Sequence, residues 1–596
     1  MRSASSSIVA ADTHPAASQS EFIILRAVVA CLTWVFVVHA AAAQDNASTA
    51  APMPAAVEAS GPVTWELIQD DPEAARQAMS RRVDELLEQR AADANVELAA
   101  IADDAEFLRR VYLDLTGAVP RVSQAREFLD DSSPDKRQRL IEHLLASPGH
   151  ATHMANTWRN IMLPEGFAAE QITNVAGVQN WLRMQFVENL RYDRLVSDFL
   201  VATGGGDTGP ALFYTAQELK PEKLASATAR IFLGLQIECA QCHDHPFDRW
   251  KQADFWGYAA FFAQLRQPEM MNGQAVQLVD LERGDVTLPD TETVVPPRYP
   301  GTIDAVTDQR GSRRVQLAIW MASRDNPYLP RAAVNRVWAH LFGRGLVQPV
   351  DDLGEHNPPS HPQLFDELTH YFVDTGFDLR ELMRMLTNTQ AYQRTSAVAD
   401  DPATAVELYA AMPVRPLTAE QLYDSLMRAL LRQGASNAPA GFDNPLFDPR
   451  RQAFVARMQA RSRSALDYEA GVPQALMLMN GVEVAESVNS SNGLLAALEA
   501  PWFNDPQRME TLFLATLSRR PNSDEQAMFL EHIQTAEANN ATERTAALGD
   551  VLWALLNSRR VCDESLAQQA VHQVPGVERS EPPAASSRGN GSNQKA

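Results

Sequence analysis

Four cysteines in 596 residues are too few for a disulfide framework, which relies on a regular, even set of half-cystines. Lysine is scarce too, so most of the positive charge is arginine. The net charge of −23 provides no clustered basic surface of the kind that phosphate backbones need, which excludes nucleic acid as a partner. Also missing are a Walker loop, a G-x-S-x-G elbow and an H-E-x-x-H helix. Gly204-Gly205-Gly206-Asp207-Thr208-Gly209 satisfies G-x-G-x-x-G formally. The preceding YDRLVSDFLVAT reads as helix rather than strand, however, so a nucleotide site fails on context.

No apolar run reaches the roughly 20 residues of a comfortable membrane span. The longest, AVVACLTWVFVVHAAAA, follows Arg26 and ends in small residues. A positive flank, an apolar core and an A-x-A site at Ala41–Ala43 describe a signal peptide over residues 1–43. A lipoprotein site at Cys31 ranks lower, because the apolar stretch runs on past it; an uncleaved anchor is the third reading. Export is therefore expected, to a periplasm, cell envelope or beyond, with no integral membrane domain after the signal peptide. The exported chain keeps Cys239, Cys242 and Cys562, an odd number in an oxidising compartment. Cys239 and Cys242 need another task.

Beyond an Ala/Pro/Ser-rich linker at 44–62, helical periodicity prevails. SSPDKRQRLIEHLL offers Ser133 as an N-cap with Pro134 at the first helical position. PSHPQLFDELTHYFVDTG starts at Ser360 and stops at Gly376. Two capping boxes are expected, Thr418 with Gln421 and Ser523 with Gln526. Within 266–311, AVQLVDLERGDVTLPDTETVV alternates around Gly284-Asp285 and suggests a hairpin. The expected architecture is mainly α: two helical bodies, 63–265 and 312–562, joined by a short hairpin-containing segment, with a disordered tail over 563–596.

The informative stretch is CAQCHDHPFDRW, Cys239 to Trp250. C-x-x-C-H is the attachment pattern of a c-type haem: two thioethers to the porphyrin vinyl groups and His243 as proximal iron ligand. If the preceding helix LASATARIFLGLQIE continues through the motif, both sulfurs and the imidazole share one face. Two other readings stand beside it. Cys239, Cys242, His243, His245 and Asp248 are plausible zinc or iron ligands, though four donors within seven residues are cramped and no second pair lies at a distance. A disulfide or inert pair is the third. His245 beside Pro246 reads most simply as a turn cap. The aromatics Phe247, Trp250, Phe255, Trp256, Tyr258, Phe261 and Phe262 read as core before haem wall, and Met477 and Met479 likewise read as core.

Polar residues recur in a second apolar stretch, NPYLPRAAVNRVWAHLFGRGLVQPVDDLGEHNPPSHP: Asn335, Arg336, His340, Arg344, Asp351, Asp352, His356 and His361. A buried hydrogen-bonded network between the two bodies is the plainer reading. A polar pocket facing the motif is the sharper one, with His340 and His361 as distal iron ligands; Met270 and Met271 are further sixth-ligand candidates.

FLGLQIECAQCHDHPFDRWKQADFWGYAAFF and FLRRVYLDLTGAVP resemble the signatures of the planctomycete domain of unknown function 1549, the cytochrome C-like domain 2. NPYLPRAAVNRVWAHLFGRGLVQPVDDLGEHNPPSHPQLFDEL, VPQALMLMNG, LFLATLSRRPNSDEQ and LWALLNSRRV resemble domain of unknown function 1553, planctomycete secreted domain 1. The resemblance implies an exported protein without assigning an activity, and its cytochrome label rests on the same C-x-x-C-H. The expectation is an exported c-type haem protein serving electron transfer or a haem-dependent oxidation. Its redox partner, or its small-molecule or polymer substrate, is not legible. The alternatives are a metal-dependent envelope hydrolase and a non-catalytic scaffold.

Overall fold

A computed structural model describes residues 63–558 except 165–171, 205–208, 267–276, 307–310, 398–400, 432–445, 447, 459–478, 480, 490–492 and 539–540. The expected signal peptide, linker, tail, Cys562, Met270, Met271 and Met477 lie outside the described residues. All described residues belong to one unit, Ser60–Ala596. The chain is mainly α, with two small antiparallel ladders. No helix of the described residues is long and apolar enough to cross a membrane.

FLRRVYLDLTG forms the helix Asp104–Thr116, which is buried from Glu106 to Leu115 despite four charged residues. Each charge has a partner inside. The Arg110 guanidinium meets Glu106 at 2.5 Å and donates to the carbonyls of Tyr392 and Arg394. Arg109 donates to the Thr516 carbonyl. Asp114 accepts from the Tyr392 hydroxyl and from Arg415, both at 2.7 Å. Buried charges survive only when paired in this way. Since these partners come from residues 392–516, the helix ties the early chain to the late one. One apolar cluster runs from Ile68 to Leu514, and a second packs Leu113 and Val119 against Leu417–Leu556.

NPYLPRAAVNRVWAHLFG forms the helix Leu329–Phe342, closed by Gly343. Asn335 is fully buried. Its amide donates to the carbonyls of Val347 and Val350 and its oxygen accepts from the Val347 N–H, so one side chain clamps the following loop.

Four details differ from expectation; the helix expected from Ser360 runs Pro362–Asp374, with His361 rather than Ser360 at its N-cap. The helix expected to start at Ser133 begins at Lys136, because Asp131 accepts the Ser133 N–H and turns the chain first. The capping box at Thr418–Gln421 forms as expected. Its later counterpart is Asn522–Glu525 rather than Ser523–Gln526; Asn caps as well as Ser, and a glutamate three positions on returns the bond. The expected hairpin splits into two ladders: Leu265–Arg266 pairs with Val279–Asp280, and Val286–Thr287 with Val294–Val295. Gly284 lies between them at φ +132°, where any Cβ would meet the Ala263 carbonyl at 2.5 Å.

Candidate functional site

The helix before the cysteines does not continue through them. Pro221–Thr228 passes into a π-helical turn, Ala229–Leu233, and stops at Gly234 with φ +66°. Only glycine fits there, since a Cβ would lie 2.7 Å from Leu353 Cδ1, and the Gly234 carbonyl accepts the Leu353 N–H. A new 3-10 turn, Glu238–Gln241, then carries Cys239, with Cys242 at its end. Both thiols are free and exposed. An unreactive cysteine is ordinarily among the most buried residues, so the exposure of both speaks against a mere packing role.

Past Cys242 the chain is folded by its own polar groups. The Cys242 and Gln241 carbonyls accept from Gln252 Nε2 and Trp256 Nε1 respectively. The Gln252 N–H is held by Asp244, and the His245 N–H donates to the Trp250 carbonyl. Trp250 is buried and anchors the loop in the core. His243 is exposed, and its Nδ1 lies 2.8 Å from the Asp244 carbonyl. A carbonyl can only accept, so Nδ1 carries a proton in this contact, and the neutral imidazole then has its lone pair on Nε2. That is the tautomer of a metal-ligating histidine.

His245 has the opposite tautomer. Its Nδ1 accepts the N–H groups of Phe247 and Asp248, which places the proton on Nε2 and makes His245 a turn cap. Asp248 accepts the Arg249 N–H through Oδ1 and faces His356 Nδ1 at 3.5 Å through Oδ2. The other His356 nitrogen lies 3.2 Å from Asp352. The histidine that the structure lays beside the motif is thus His356. Sequence reading named it and Asp352 only as part of a polar run; no spacing rule marks it, because its loop is aimed by the Asn335 clamp. Arg249 completes the junction, donating to Glu355 at 2.6 Å and to the Tyr328 hydroxyl at 3.1 Å.

The two histidines proposed as distal ligands lie in the interior, each with one ring nitrogen engaged. His340 holds the Asp114 carbonyl through Nε2 and packs against the His153 ring. His361 is buried at the head of the helix Pro362–Asp374, with Nδ1 on Ser360 Oγ and its ring against Tyr409. Burial lowers the pKa of both, that of His361 to about 4. Among the aromatics, Trp250, Phe255, Tyr258, Phe261 and Phe262 are core, whereas Phe247 is 80% exposed beside the motif. Met479 is exposed as well, against the expectation of core.

Residues 82–267 match the family model PSCyt2, a protein of unknown function (DUF1549). Residues 313–440 match PSD1, a protein of unknown function (DUF1553). The chain carries a PSCyt2 domain followed by a PSD1 domain. No curated protein and no solved structure matches it. The C-x-x-C-H turn belongs to the PSCyt2 span, and the loop bearing Asp352, Glu355 and His356 to the PSD1 span.

Two donor sets can be tested against the PSCyt2 loop. For zinc or iron held by Cys239, Cys242, His243, His245 and Asp248 the fit is poor at His245 and Asp248. The His245 lone pair is already taken by backbone N–H groups, and one Asp248 oxygen is taken by the Arg249 N–H. Asp248 and Asp352 lie at opposite nitrogens of His356, so one ion cannot gather all three. Among the described residues no three His, Cys, Asp or Glu side chains form a metal-binding group. For a c-type haem, the attachment residues are in place: two free, exposed thiols three apart in sequence and an adjacent exposed imidazole held at Nδ1 by the Asp244 carbonyl.

Proposed function

We propose that this PSCyt2–PSD1 protein is an exported electron carrier with one c-type haem, attached at Cys239 and Cys242 and ligated by His243. The observation that carries the reading is the His243 Nδ1 contact with the Asp244 carbonyl beside two free, exposed thiols. The haem would supply one-electron chemistry. The chain's own residues supply attachment and orientation: Gln252 and Trp256 hold the carbonyls of Cys242 and Gln241, which keeps the turn open to solvent. Asp244 fixes the imidazole through its backbone carbonyl.

Electron transfer is favoured over oxidation of an enclosed substrate because Cys239, Cys242, His243 and Phe247 are all exposed. A group held there would be within reach of a docking protein. The test is expression with and without a cytochrome c maturation system, for the native chain and for Cys239→Ala/Cys242→Ala. The reading requires pigment that stays with the polypeptide through acid-acetone extraction in the native chain alone. It requires a lost or altered axial signal in His243→Ala, and an unaltered one in His245→Ala if the turn survives. Colourless protein after maturation contradicts it.

A further inference from the structure

The two most exposed large apolar side chains among the described residues are Ile303, at 89%, and Phe247, at 80%. Scattered singly, such residues are ordinary; these two stand on loops that meet. Phe247 lies two residues before Arg249 and Ile303 two after Gly301, and a Cβ at Gly301 would come within 3.6 Å of Arg249 Nη2. The same guanidinium reaches Glu355 and the Tyr328 hydroxyl. The loops 242–252, 299–306 and 351–357 therefore converge at Arg249, beside the C-x-x-C-H turn.

Both apolar tips are carried on backbone that is already fixed. The Phe247 N–H is held by His245 Nδ1, and the next anchor, Trp250, is buried beneath the Arg249 guanidinium, 5.0 Å away. The Thr302 N–H and hydroxyl donate to the Tyr299 carbonyl, and the Val306 N–H to that of Pro297, which closes the turn around Ile303. A surface ordered in advance loses little entropy on binding. Its charge is one-sided. The three loops carry Asp244, Asp248, Asp304, Asp351, Asp352 and Glu355, with Arg249 and Lys251 as their only Arg and Lys. Arg230 offsets Asp351 from outside, and a charged His356 would still leave carboxylates in excess. An apolar pair in an acidic surround repels anionic lipid and nucleic acid and attracts a basic protein face.

We propose that this junction docks a small protein through a basic face, with Phe247 and Ile303 as the apolar anchors. The partner's role rests on the haem reading: it is the protein that gives electrons to the haem or takes them from it. Phe247 and Ile303 supply the contact that is lost from water, while the surrounding carboxylates steer and orient the partner. Small interfaces of this composition suit complexes that form and part quickly.

The probe is mitochondrial cytochrome c, a basic electron-transfer protein, titrated by calorimetry into the full chain made with and without a cytochrome c maturation system. Binding is expected to both preparations at about 50 mM NaCl, and to weaken about fivefold or more at about 300 mM. Phe247→Ser/Ile303→Ser is expected to weaken it about tenfold or more, and Asp304→Asn/Glu355→Gln about threefold at low salt. All four side chains are exposed, so the unfolding midpoints should stay near that of the native chain. No binding to the native chain overturns the proposal, as does unchanged affinity in either double variant. Binding to anionic phosphatidylglycerol vesicles in preference to the probe overturns it too. A chain that stays colourless after maturation yet binds the probe through Phe247 and Ile303 supports the docking surface and removes only the haem.

Discussion

Acid should loosen this protein through its buried histidines, and His150 offers a share that one substitution isolates. His150 is 3% exposed, and its Nδ1 donates to the Leu115 carbonyl at 2.9 Å near the end of the helix Asp104–Thr116. Burial, with smaller repulsions from Arg380, His340 and Arg384, pushes its pKa from 6.5 to about 4. A base whose folded pKa is depressed binds its proton first in the unfolded chain. Its stabilising contribution is complete above pH 6.5 and is lost as pH falls from 6.5 towards 4, levelling off below that. At about 1.4 kcal/mol per pH unit, His150 alone removes roughly 2 kcal/mol between pH 6.5 and 5.0. His150→Asn keeps a donor for the Leu115 carbonyl and cannot titrate. It should cost about 1–2 kcal/mol at pH 7.5 through lost packing, then lose roughly 2 kcal/mol less than the native chain on going to pH 5.0. Urea unfolding at pH 7.5, 6.5 and 5.0 measures both terms. Parallel pH dependence in the two chains would refute the assignment of a buried, neutral His150.

Two further substitutions probe the frame around the sites. Gly234→Ala combines a left-handed backbone with a Cβ 2.7 Å from Leu353 Cδ1, so it should destabilise by about 1–3 kcal/mol; a urea midpoint equal to that of the native chain would contradict the close approach. Asp114→Ala leaves Arg415 and the Tyr392 hydroxyl without their carboxylate and should cost about 3–5 kcal/mol. Tyr392→Phe, which removes one donor, should cost about 1.5–3 kcal/mol, and thermal melts that reverse this order would undo the buried-network account.

Helical periodicity was legible because amphipathic stripes and caps are local: Thr418–Gln421 closes its box as written in the sequence. Misplaced boundaries arose where two neighbouring residues could both cap, as at Asn522 and Ser523, and where an aspartate intercepted an N–H one turn early, as at Asp131. Around the motif, three residue identities pointed to the chemistry, but their conformation depended on a distant contact. Gly234 ends the helix because Leu353, more than a hundred residues later, occupies the space of a side chain. For the same reason His340 and His361 looked available while His356 did not stand out. Whether a polar side chain on an apolar helix faces a cofactor or a carbonyl depends on what packs across it. For His340 that is the Asp114 carbonyl, from the helix Asp104–Thr116 within the PSCyt2 span.

The central claim concerns the covalent state of Cys239 and Cys242. Intact-mass and peptide mass spectrometry of the mature protein, isolated from the cells that naturally make it, tests it most directly. The account predicts the added mass of one haem on the peptide spanning Cys239 and Cys242, bound through both sulfurs. Two unmodified thiols, or a disulfide joining them, on that peptide would contradict it.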